Sequence, residues 1–350
     1  MGIQYDITFH PKWWNKNVGI AFTKEFFNDP EYRMDCDIKM RKALYERFGH
    51  FGVGEKDPKK RPLLGTEFLA AGYLYSQIMG CDVVYQQDNS PQVISMKFDE
   101  NSIEGIQVPD LDKSSIWQDT QKQIQYLSDQ YGHVETYVNL MGIQNIALDM
   151  MGQELMISYY TAPEEVDRLL AKITKLTIEI GKRFQALSTD LSGGVTSITR
   201  KTMPQCYVTS NCSVDMISNN LYEEFLLKYD QQLADNFPCF GIHHCGQTME
   251  HVAAGYKKVR GLQFAEVGAF SDIKAVRNAL PNIHLNARYS PVHLLEVAKD
   301  AIAGEVQSLV TLGKSDETGR NISVSCVGID DQVTDDKIIS FLEACQNAKL

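Results

Sequence analysis

The segments CFGIHHCG (residues 239–246), MEHVAAGYKKV (249–259) and GLQFAEVG (261–268) follow one another as strand, helix and strand. The first and third are short apolar runs of strand length, and the second carries apolar residues at helical spacing. Alternation of strands with helices is the pattern of βαβ units. This stretch therefore predicts a parallel sheet with helices packed against it.

The same alternation extends in both directions over most of the chain. Further β segments are predicted at CDVVYQQ (81–87), HVETYVNLMG (133–142), GVTSITR (194–200), CYVTSN (206–211), IHLNARY (283–289) and ISVSCVGID (322–330). Seven strands are counted in this pattern, with GVTSITR and CYVTSN as β-rich pieces of one region. An eighth strand near GHFGVG (49–54) would close an α/β fold of the (β/α)8 TIM-barrel type. A doubly wound open sheet is the alternative, but neither G-x-G-x-x-G nor G-x-x-x-x-G-K-[ST] occurs in the sequence.

Two regions are predicted within one domain. Residues 1–60 form an irregular, aromatic-rich N-terminal extension packed on the barrel, and residues 61–350 form the barrel itself. The extension carries an aromatic cluster that packs on the body, covers a cleft or forms a subunit contact; a homodimer is therefore also considered. The cluster consists of Trp13, Trp14, Phe22, Phe26 and Phe27.

Composition narrows the classes of partner and compartment. The net charge of −11 argues against a nucleic-acid backbone or an anionic membrane surface as partner. No run of residues reaches the ~18 apolar positions of a membrane span, and the N-terminus lacks a basic-then-apolar signal. The 8 cysteines are diluted through a 350-residue chain, which favours reduced thiols over a disulfide framework. We expect a cytoplasmic protein.

Barrel enzymes build their sites at the carboxyl ends of the strands. His243 and Cys245 end one predicted strand, Glu266 ends the next, and Arg288 and Cys326 end the last two. Alternate residues of a strand share a face, so His243 and Cys245 are predicted to bind one ion together. Imidazole nitrogen and thiolate sulfur are ligands that zinc prefers.

Cys326 is predicted as the third zinc ligand, with Glu266 in the exchangeable fourth position. Three protein ligands and one open position are typical of catalytic zinc. His244 is interpreted as a packed histidine. Two alternatives stay open: a structural zinc protein in which all four positions are filled, and a metal-free binding module. The remaining candidate thiols, interpreted as core residues, are Cys206, Cys212 and Cys239.

From about residue 65 the chain resembles the uroporphyrinogen decarboxylase superfamily, which includes zinc-dependent corrinoid methyltransferases. The resemblance rests on GCDVVYQQD (80–88), NLMGIQNIALDMMGQELMISYYTAPEEVDRLLAKIT (139–174), SNCSVDMISNNLYEEFLLKYDQQL (210–233), IHHCGQT (242–248) and SCVGIDDQVTDDKIISFLEAC (325–345). It implies a TIM barrel, in agreement with the alternation of strands and helices.

Two branches of that superfamily differ in their motifs. The decarboxylases carry an Arg-rich motif of the type M-R-Q-A-G-R, absent here, and a G-H-G where this chain reads SCVGID. The methyltransferase branch has H-x-C and a late cysteine as zinc ligands, which the resemblance places at His243, Cys245 and Cys326. It also makes Glu266 the exchangeable ligand and relates Asp82 to an acidic catalytic residue of the decarboxylases.

The resemblance implies a methyl transfer, and an aromatic and Met-rich composition favours an aryl methyl ether as donor. We therefore predict O-demethylation of methoxylated aromatics by a zinc enzyme, with the methyl group passing to the cobalt of a separate corrinoid (cobalamin) protein. The alternatives are methylation of a thiol, a methanol or methylamine donor, and uroporphyrinogen decarboxylation. Substrate contacts are predicted from residues at strand ends: Tyr85, Asn89, Asn139, Met141, Tyr207, Asn211, Asn286 and Arg288.

Overall fold

The structure is a computed structural model, and it describes residues 2–96, 103–188, 191, 196–315 and 321–350. The strands are β1 (Gln4–Phe9), β2 (Leu63–Gly65), β3 (Asp82–Val84), β4 (Gln92–Ile94), β5 (Glu135–Tyr137), β6 (Cys206–Ser210), β7 (Cys239–His244), β8 (Leu262–Val267), β9 (His284–Tyr289) and β10 (Ile322–Ile329). Six of them form one parallel sheet in the order β1-β10-β9-β8-β7-β6.

Helices alternate with these strands, as the sequence predicts for an α/β fold. They are α1 (Pro11–Val18), α2 (Lys24–Asn28), α3 (Pro30–Phe48), α4 (Leu74–Ile78), α5 (Ser115–Tyr131), α6 (Ile143–Met151), α7 (Glu154–Thr161), α8 (Pro163–Leu187), α9 (Ser197–Thr202), α10 (Asn219–Leu221), α11 (Leu227–Asn236), α12 (Ala253–Tyr256), α13 (Ile273–Ala279), α14 (Pro291–Glu296), α15 (Lys299–Gly313) and α16 (Asp335–Asn347). Among the described residues, none of these helices is both long and apolar enough to cross a membrane.

A smaller parallel pair continues the six-stranded sheet. Strands β2 and β5 pair with each other, and beyond β5 a single parallel bridge joins Met141 to Ser210 at the end of β6. The curled, mostly parallel sheet is therefore like that of a TIM barrel. Within the described ranges no ladder joins β2 to β1, so closure into eight strands is not seen.

The two faces of the sheet bury different side chains. The main apolar core lies between the sheet and the helices and includes Ile242, Leu285 and Val324. A second, small apolar cluster, which includes Val208 and Phe264, lies on the other face of the strands. Because side chains alternate along a strand, the register of each strand decides which of the two environments a residue enters.

The N-terminal region departs from the prediction of an irregular extension. Gln4–Phe9 is β1, paired with β10, and most of residues 11–48 is helical. The aromatic cluster is buried: Trp13 and Trp14 are at most 1 % exposed, and Phe9 stacks on Trp13 with ring centroids 4.0 Å apart. Of the three roles considered for this cluster, packing on the body is the one that the structure shows.

Two predicted strands are wrong, and a third forms a strand that lies outside the main sheet. GHFGVG (49–54) forms a 3-10 turn, Gly49–Phe51, followed by a left-handed Gly52. CDVVYQQ contributes only β3, which pairs antiparallel with β4 outside the main sheet. In GVTSITR (194–200), residues 197–200 belong to helix α9. Residues 194–195 lie outside the described residues.

Candidate metal centre

Neighbouring strands bring a histidine and two cysteines to one place. His243 is the second-last residue of β7 and lies in register with Ser210 on β6 and Glu266 on β8. Cys245 follows two residues later, just after the strand, and its side chain lies on the same face as that of His243. Cys212 follows the end of β6 and begins the 3-10 turn Cys212–Met216.

The three side chains form the metal-ligand cluster, a name used below for Cys212, His243 and Cys245. One nitrogen and two sulfur atoms lie within 4.8 Å of one another. In a tetrahedral zinc site with Zn–S of about 2.3 Å, neighbouring sulfur atoms are roughly 3.8 Å apart. Small side-chain movements would therefore suffice to hold a zinc ion, and the soft donor set suits zinc better than a hard cation such as Mg²⁺.

The charges of the cluster support this fit. A hydrogen bond from Cys212, with the nearby charges of His243 and Arg288, holds the pKa of Cys245 well below its ordinary value although burial opposes this. The same hydrogen bond raises the pKa of Cys212 well above its ordinary value. Burial disfavours the charged form of His243, yet the charges of Cys245 and Glu266 raise its pKa to about 9. A divalent cation would replace the protons that these groups now share.

Glu266 lies behind His243 and is not one of the cluster's three ligands. Its carboxylate bonds His243 Nδ1, and its other oxygen accepts from Thr196 Oγ1 at 3.2 Å and Asn286 Nδ2 at 3.3 Å. Although burial opposes ionisation, His243 and Arg288 lower the pKa of Glu266 to about 2. A carboxylate on one ring nitrogen orients a histidine and leaves the other nitrogen for a metal. Glu266 therefore has the contacts of an orienting residue, and its role as the exchangeable ligand stays a prediction.

Cys326 is not brought into the cluster. It pairs in register with Tyr289 on β9, whereas its neighbour Ser325 pairs with Arg288, which lies beside His243 and Glu266. Cys326 belongs to the core between sheet and helices, where burial raises its pKa. Alternation along β10 thus turns Ser325 to the face of His243 and Cys326 to the helices. The structure therefore groups Cys212, and not the predicted Cys326, with His243 and Cys245.

A cavity of about 510 Å³ opens in front of the cluster. Its lining includes all three cluster residues, apolar side chains and several polar groups. The other lining residues are Ala70, Gly72, Pro91, Asn139, Met141, Asn145, Leu148, Asp149, Ser210, Ser213, Asp215 and Met216. Asn139 and Met141 are thus the two predicted substrate residues that line this cavity. The described lining contains two carboxyl groups and neither lysine nor arginine.

The other predicted substrate residues lie elsewhere. Tyr207 stacks on Phe237 with ring centroids 4.2 Å apart, on the helix side of the sheet. Tyr85 packs against Phe27, and Asn89 accepts a hydrogen bond from the backbone nitrogen of Ser90. Asn286 and Arg288 contact Glu266 rather than the cavity.

Asp82, the second predicted catalytic residue, is exposed on β3. That strand belongs to the separate β3–β4 pair, and Asp82 does not line the cavity. The carboxyl group that does line the cavity from this direction is Asp149, next to Cys81, whose Sγ lies 3.8 Å from the Asp149 carbonyl oxygen. The catalytic role of Asp82 therefore stays a prediction from the sequence.

Comparison with known proteins identifies the family. A sequence model described as uroporphyrinogen decarboxylase (URO-D) matches residues 73–348. This chain belongs to the URO-D family. A solved structure, a methyltransferase from Methanosarcina mazei, matches 98% of this chain and 93% of its own at 16% identity and a TM-score of 0.66. At that identity the likeness shows the fold alone. No curated protein matches the chain.

In this URO-D family chain, sequence reasoning missed Cys212 and Asp149. Cys212 directly follows Asn211, a residue predicted to face the site because it ends a strand. A tight turn after a strand redirects the chain, so that the residue beyond the strand end also reaches the cavity. Asp149 lies on a helix, and nothing in the sequence of α6 marks one polar residue of that helix as facing a cavity.

Asn211, another predicted substrate residue, makes hydrogen bonds within the protein. Its Nδ2 donates to Asp230 Oδ2 at 2.8 Å, and its backbone nitrogen donates to the carbonyl oxygen of His243 at 2.7 Å. Tyr222 also donates to Asp230 Oδ2 at 2.8 Å. These bonds fix the chain segment that leads into Cys212.

The buried carboxyl group of Asp230 should make the stability of this URO-D family chain depend on pH. Burial raises its pKa to about 6, against about 3.9 in an unfolded chain. Native protein therefore holds this proton more tightly, and the free energy of unfolding falls as pH rises from 4 to 6. Relative to D230N, the wild type should lose about 2–3 kcal/mol between pH 4 and pH 7, measured by urea unfolding. D235N, at an exposed position of α11, is the control; an equal pH response in D230N and wild type would contradict the prediction.

Proposed function

We propose that this chain is a zinc-dependent methyltransferase that moves the methyl group of a methoxylated aromatic to the cobalt of a separate corrinoid protein. One observation carries the proposal: a cluster of one imidazole and two thiols opens into a cavity at the carboxyl ends of parallel strands. The fold likeness to a protein titled methyltransferase agrees with it.

His243, Cys245 and Cys212 would hold the zinc ion, and Glu266 would fix the ring of His243. When bound there, zinc supplies a Lewis acid for the ether oxygen of the methyl donor. A cluster of three protein ligands beside a cavity favours catalysis over a structural zinc site, where all four positions are filled by protein.

The cavity walls suit an aromatic ether. Met141, Leu148 and Met216 offer apolar contact to a ring, while Asn139 is held in the wall by a bond of 3.1 Å from Ser210 Oγ to its Oδ1. A volume of about 510 Å³ lies within the usual range of small-molecule sites. The cavity is also open to solvent, which suits a partner protein that brings its cobalt to the mouth.

A closed (β/α)8 barrel remains part of the proposal. Eight parallel strands follow in the order β2, β5, β6, β7, β8, β9, β10 and β1 when the bridge between Met141 and Ser210 is included. Residues of β1 and the residues that flank β2, Arg61 and Glu67, line one cavity of about 530 Å³. Adjacency of β1 and β2 across that cavity would complete the eight-stranded ring.

The acidic lining of the cavity selects among substrates. Asp149 and Asp215 line it without a lysine or arginine among the described lining residues, so above the pKa of Asp149, which is about 6, they disfavour a porphyrinogen with several carboxylates. A neutral ether avoids the like-charge repulsion that an anionic ring would meet. Uroporphyrinogen decarboxylation is therefore the weaker candidate for this member of the family.

The proposal is tested by mixing zinc-loaded protein and a corrinoid protein reduced to cobalt(I) with one of two methyl donors. These are the neutral ether 2-methoxyphenol and the anionic ether 3-methoxybenzoate. We expect phenol release together with methyl-cobalt absorbance, and a kcat/KM at least roughly tenfold higher for the neutral ether, since repulsion of about 1–2 kcal/mol corresponds to that factor. Methylation of an added thiol without ether cleavage would contradict the proposed donor, and loss of carboxyl groups from a porphyrinogen would contradict methyl transfer altogether.

A further inference from the structure

Asp149 is a carboxyl group that the proposed zinc chemistry does not use. It lies on α6, one helical turn after Asn145, and both side chains line the cavity that contains the metal-ligand cluster. Residues four positions apart share a helix face, so α6 presents these two polar groups together. The side chain is a fixed part of the cavity wall because Ser76 Oγ donates to its Oδ2 at 2.6 Å.

The surroundings of Asp149 favour its protonated form. Burial raises its pKa to about 6, and the hydrogen bond from Ser76 only partly opposes this. Ser76 itself is fully buried. The titratable groups that face Asp149 are few: the Cys81 thiol beside its backbone, and Asp215 with the three cluster residues on the other cavity walls. None of the described residues that line the cavity is a lysine or arginine that would hold the carboxylate in its charged form.

We infer that Asp149 is the proton donor to the leaving oxygen of the methyl donor. The inference rests on the proposed function and names a further catalytic residue for it. Placement carries the argument, since a carboxyl group held by Ser76 shares one cavity with the cluster that would bind the ether oxygen. A general acid must come within hydrogen-bond reach of the leaving oxygen, and a shared cavity allows one bound substrate to meet both the cluster and the carboxyl group.

The step balances in atoms and electrons. The bond between the methyl carbon and the ether oxygen breaks, and its electron pair stays on oxygen. The electron pair of cobalt(I) on the corrinoid partner forms the new bond to the methyl carbon, so cobalt becomes methyl-cobalt(III). The oxygen takes the proton of Asp149 and leaves as a phenol. Water at the cavity mouth returns a proton to the carboxylate.

The matched variants are D149N and S76A. D149N keeps the size of the side chain but has no carboxyl proton, and we expect turnover of 2-methoxyphenol at pH 6 to fall by roughly 100-fold or more. Wild-type kcat should fall tenfold per pH unit above an apparent pKa near 6, because the acid must be protonated, and D149N should lack this decline. S76A removes a bond that stabilises the carboxylate, so the decline should move to higher pH.

A second measurement does not depend on turnover. ¹³C NMR of labelled aspartate carboxyls should show two resonances that titrate near pH 6 in the wild type, from Asp149 and Asp230. The resonance that is absent in D149N belongs to Asp149, and it should titrate at higher pH in S76A, whereas the resonance of Asp230 should stay in place. Zinc content and the melting temperature of each variant identify a merely structural effect. Should D149N fail to fold, the shift in S76A decides.

The outcomes separate the two proposals. Unchanged kcat and pH profile in D149N, with ether cleavage by the wild type, would overturn the role of Asp149 and leave the proposed function standing. An S76A profile that stays in place would also overturn it. Absence of ether cleavage by the wild type would remove the proposed function, and the role of Asp149 with it, even if the carboxyl titrates as described.

Discussion

On the proposed function, we expect replacement of Cys245 or Cys212 by serine to weaken zinc binding and abolish methyl transfer, whereas C326S should keep both. Cys212 and Cys245 belong to the cluster whose donor atoms lie within 4.8 Å of one another. Cys326 is fully buried between the sheet and the helices and offers its sulfur to that core. The three cysteine variants therefore distinguish a site that uses Cys212, as the cluster indicates, from one that uses Cys326, as the sequence predicts.

The expected size follows from the energy of zinc binding. Protein zinc sites bind with roughly 10–16 kcal/mol, so one of four ligands contributes about 3 kcal/mol, or a factor of more than about 100 in affinity. Replacing a sulfur ligand by a hydroxyl should thus raise the zinc Kd at least roughly 100-fold. Since the open metal position is needed for the proposed chemistry, methyl transfer should fall below one-hundredth of the wild-type rate.

Zinc content after anaerobic purification and a competitive chelator titration measure the effect. C326S, matched in chemistry to C212S and C245S, should retain one zinc per chain and near wild-type turnover. Loss of zinc in C326S with full zinc in C212S would show that the late cysteine is the ligand, as the family resemblance implies. Urea unfolding of all three variants separates loss of the metal from loss of the fold.

E266Q distinguishes an orienting residue from a ligand in the same assay. A partner that orients a metal-binding histidine typically affects metal affinity 10–100-fold. We therefore expect E266Q to bind zinc more weakly than the wild type but to reach one zinc per chain when zinc is in excess. A variant that never reaches that stoichiometry would return Glu266 to the ligand set.

The sequence predicts the second half of the fold better than the first. All five strands from β6 to β10 lie where apolar runs predict them, because each run is short and a helix follows it. The first half fails for a physical reason. Strand β2 has three residues, too short for an apolar run to show, whereas β5 lies within the predicted strand HVETYVNLMG. Strand β1 is read as an extension because its alternation QYDITF is followed at once by aromatic helices.

The alternation of side chains along a strand predicts part of the candidate metal site. His243 and Cys245 share a face and open into one cavity. The same rule, applied to ISVSC (322–326), places Cys326 with the apolar Ile322 and Val324, and opposite Ser323 and Ser325. Cys212 was beyond such reasoning, because its position depends on the turn after β6 rather than on a strand period.

Removal of residues 2–10 will prevent the chain from folding, although the sequence presents this segment as an appendage. β1 pairs with β10 along its length, and Ile3, Ile7 and Phe9 are each at most 7 % exposed. Loss of a buried side chain of this size typically costs 2–5 kcal/mol, so three together approach the roughly 5–15 kcal/mol that stabilise a whole protein. The truncation also exposes the edge of β10, which invites aggregation.

Two point variants of the full chain show how large a loss of unfolding free energy the truncation should cause. F9A removes the ring that stacks on Trp13 and should lower the free energy of unfolding by about 3–5 kcal/mol. Q4A, at an exposed position of the same strand, should change it by less than about 0.5 kcal/mol. Soluble yield, far-ultraviolet circular dichroism and the urea midpoint measure all three. A truncated chain with the wild-type midpoint would mean that β10 is a stable edge and that residues 2–10 are dispensable.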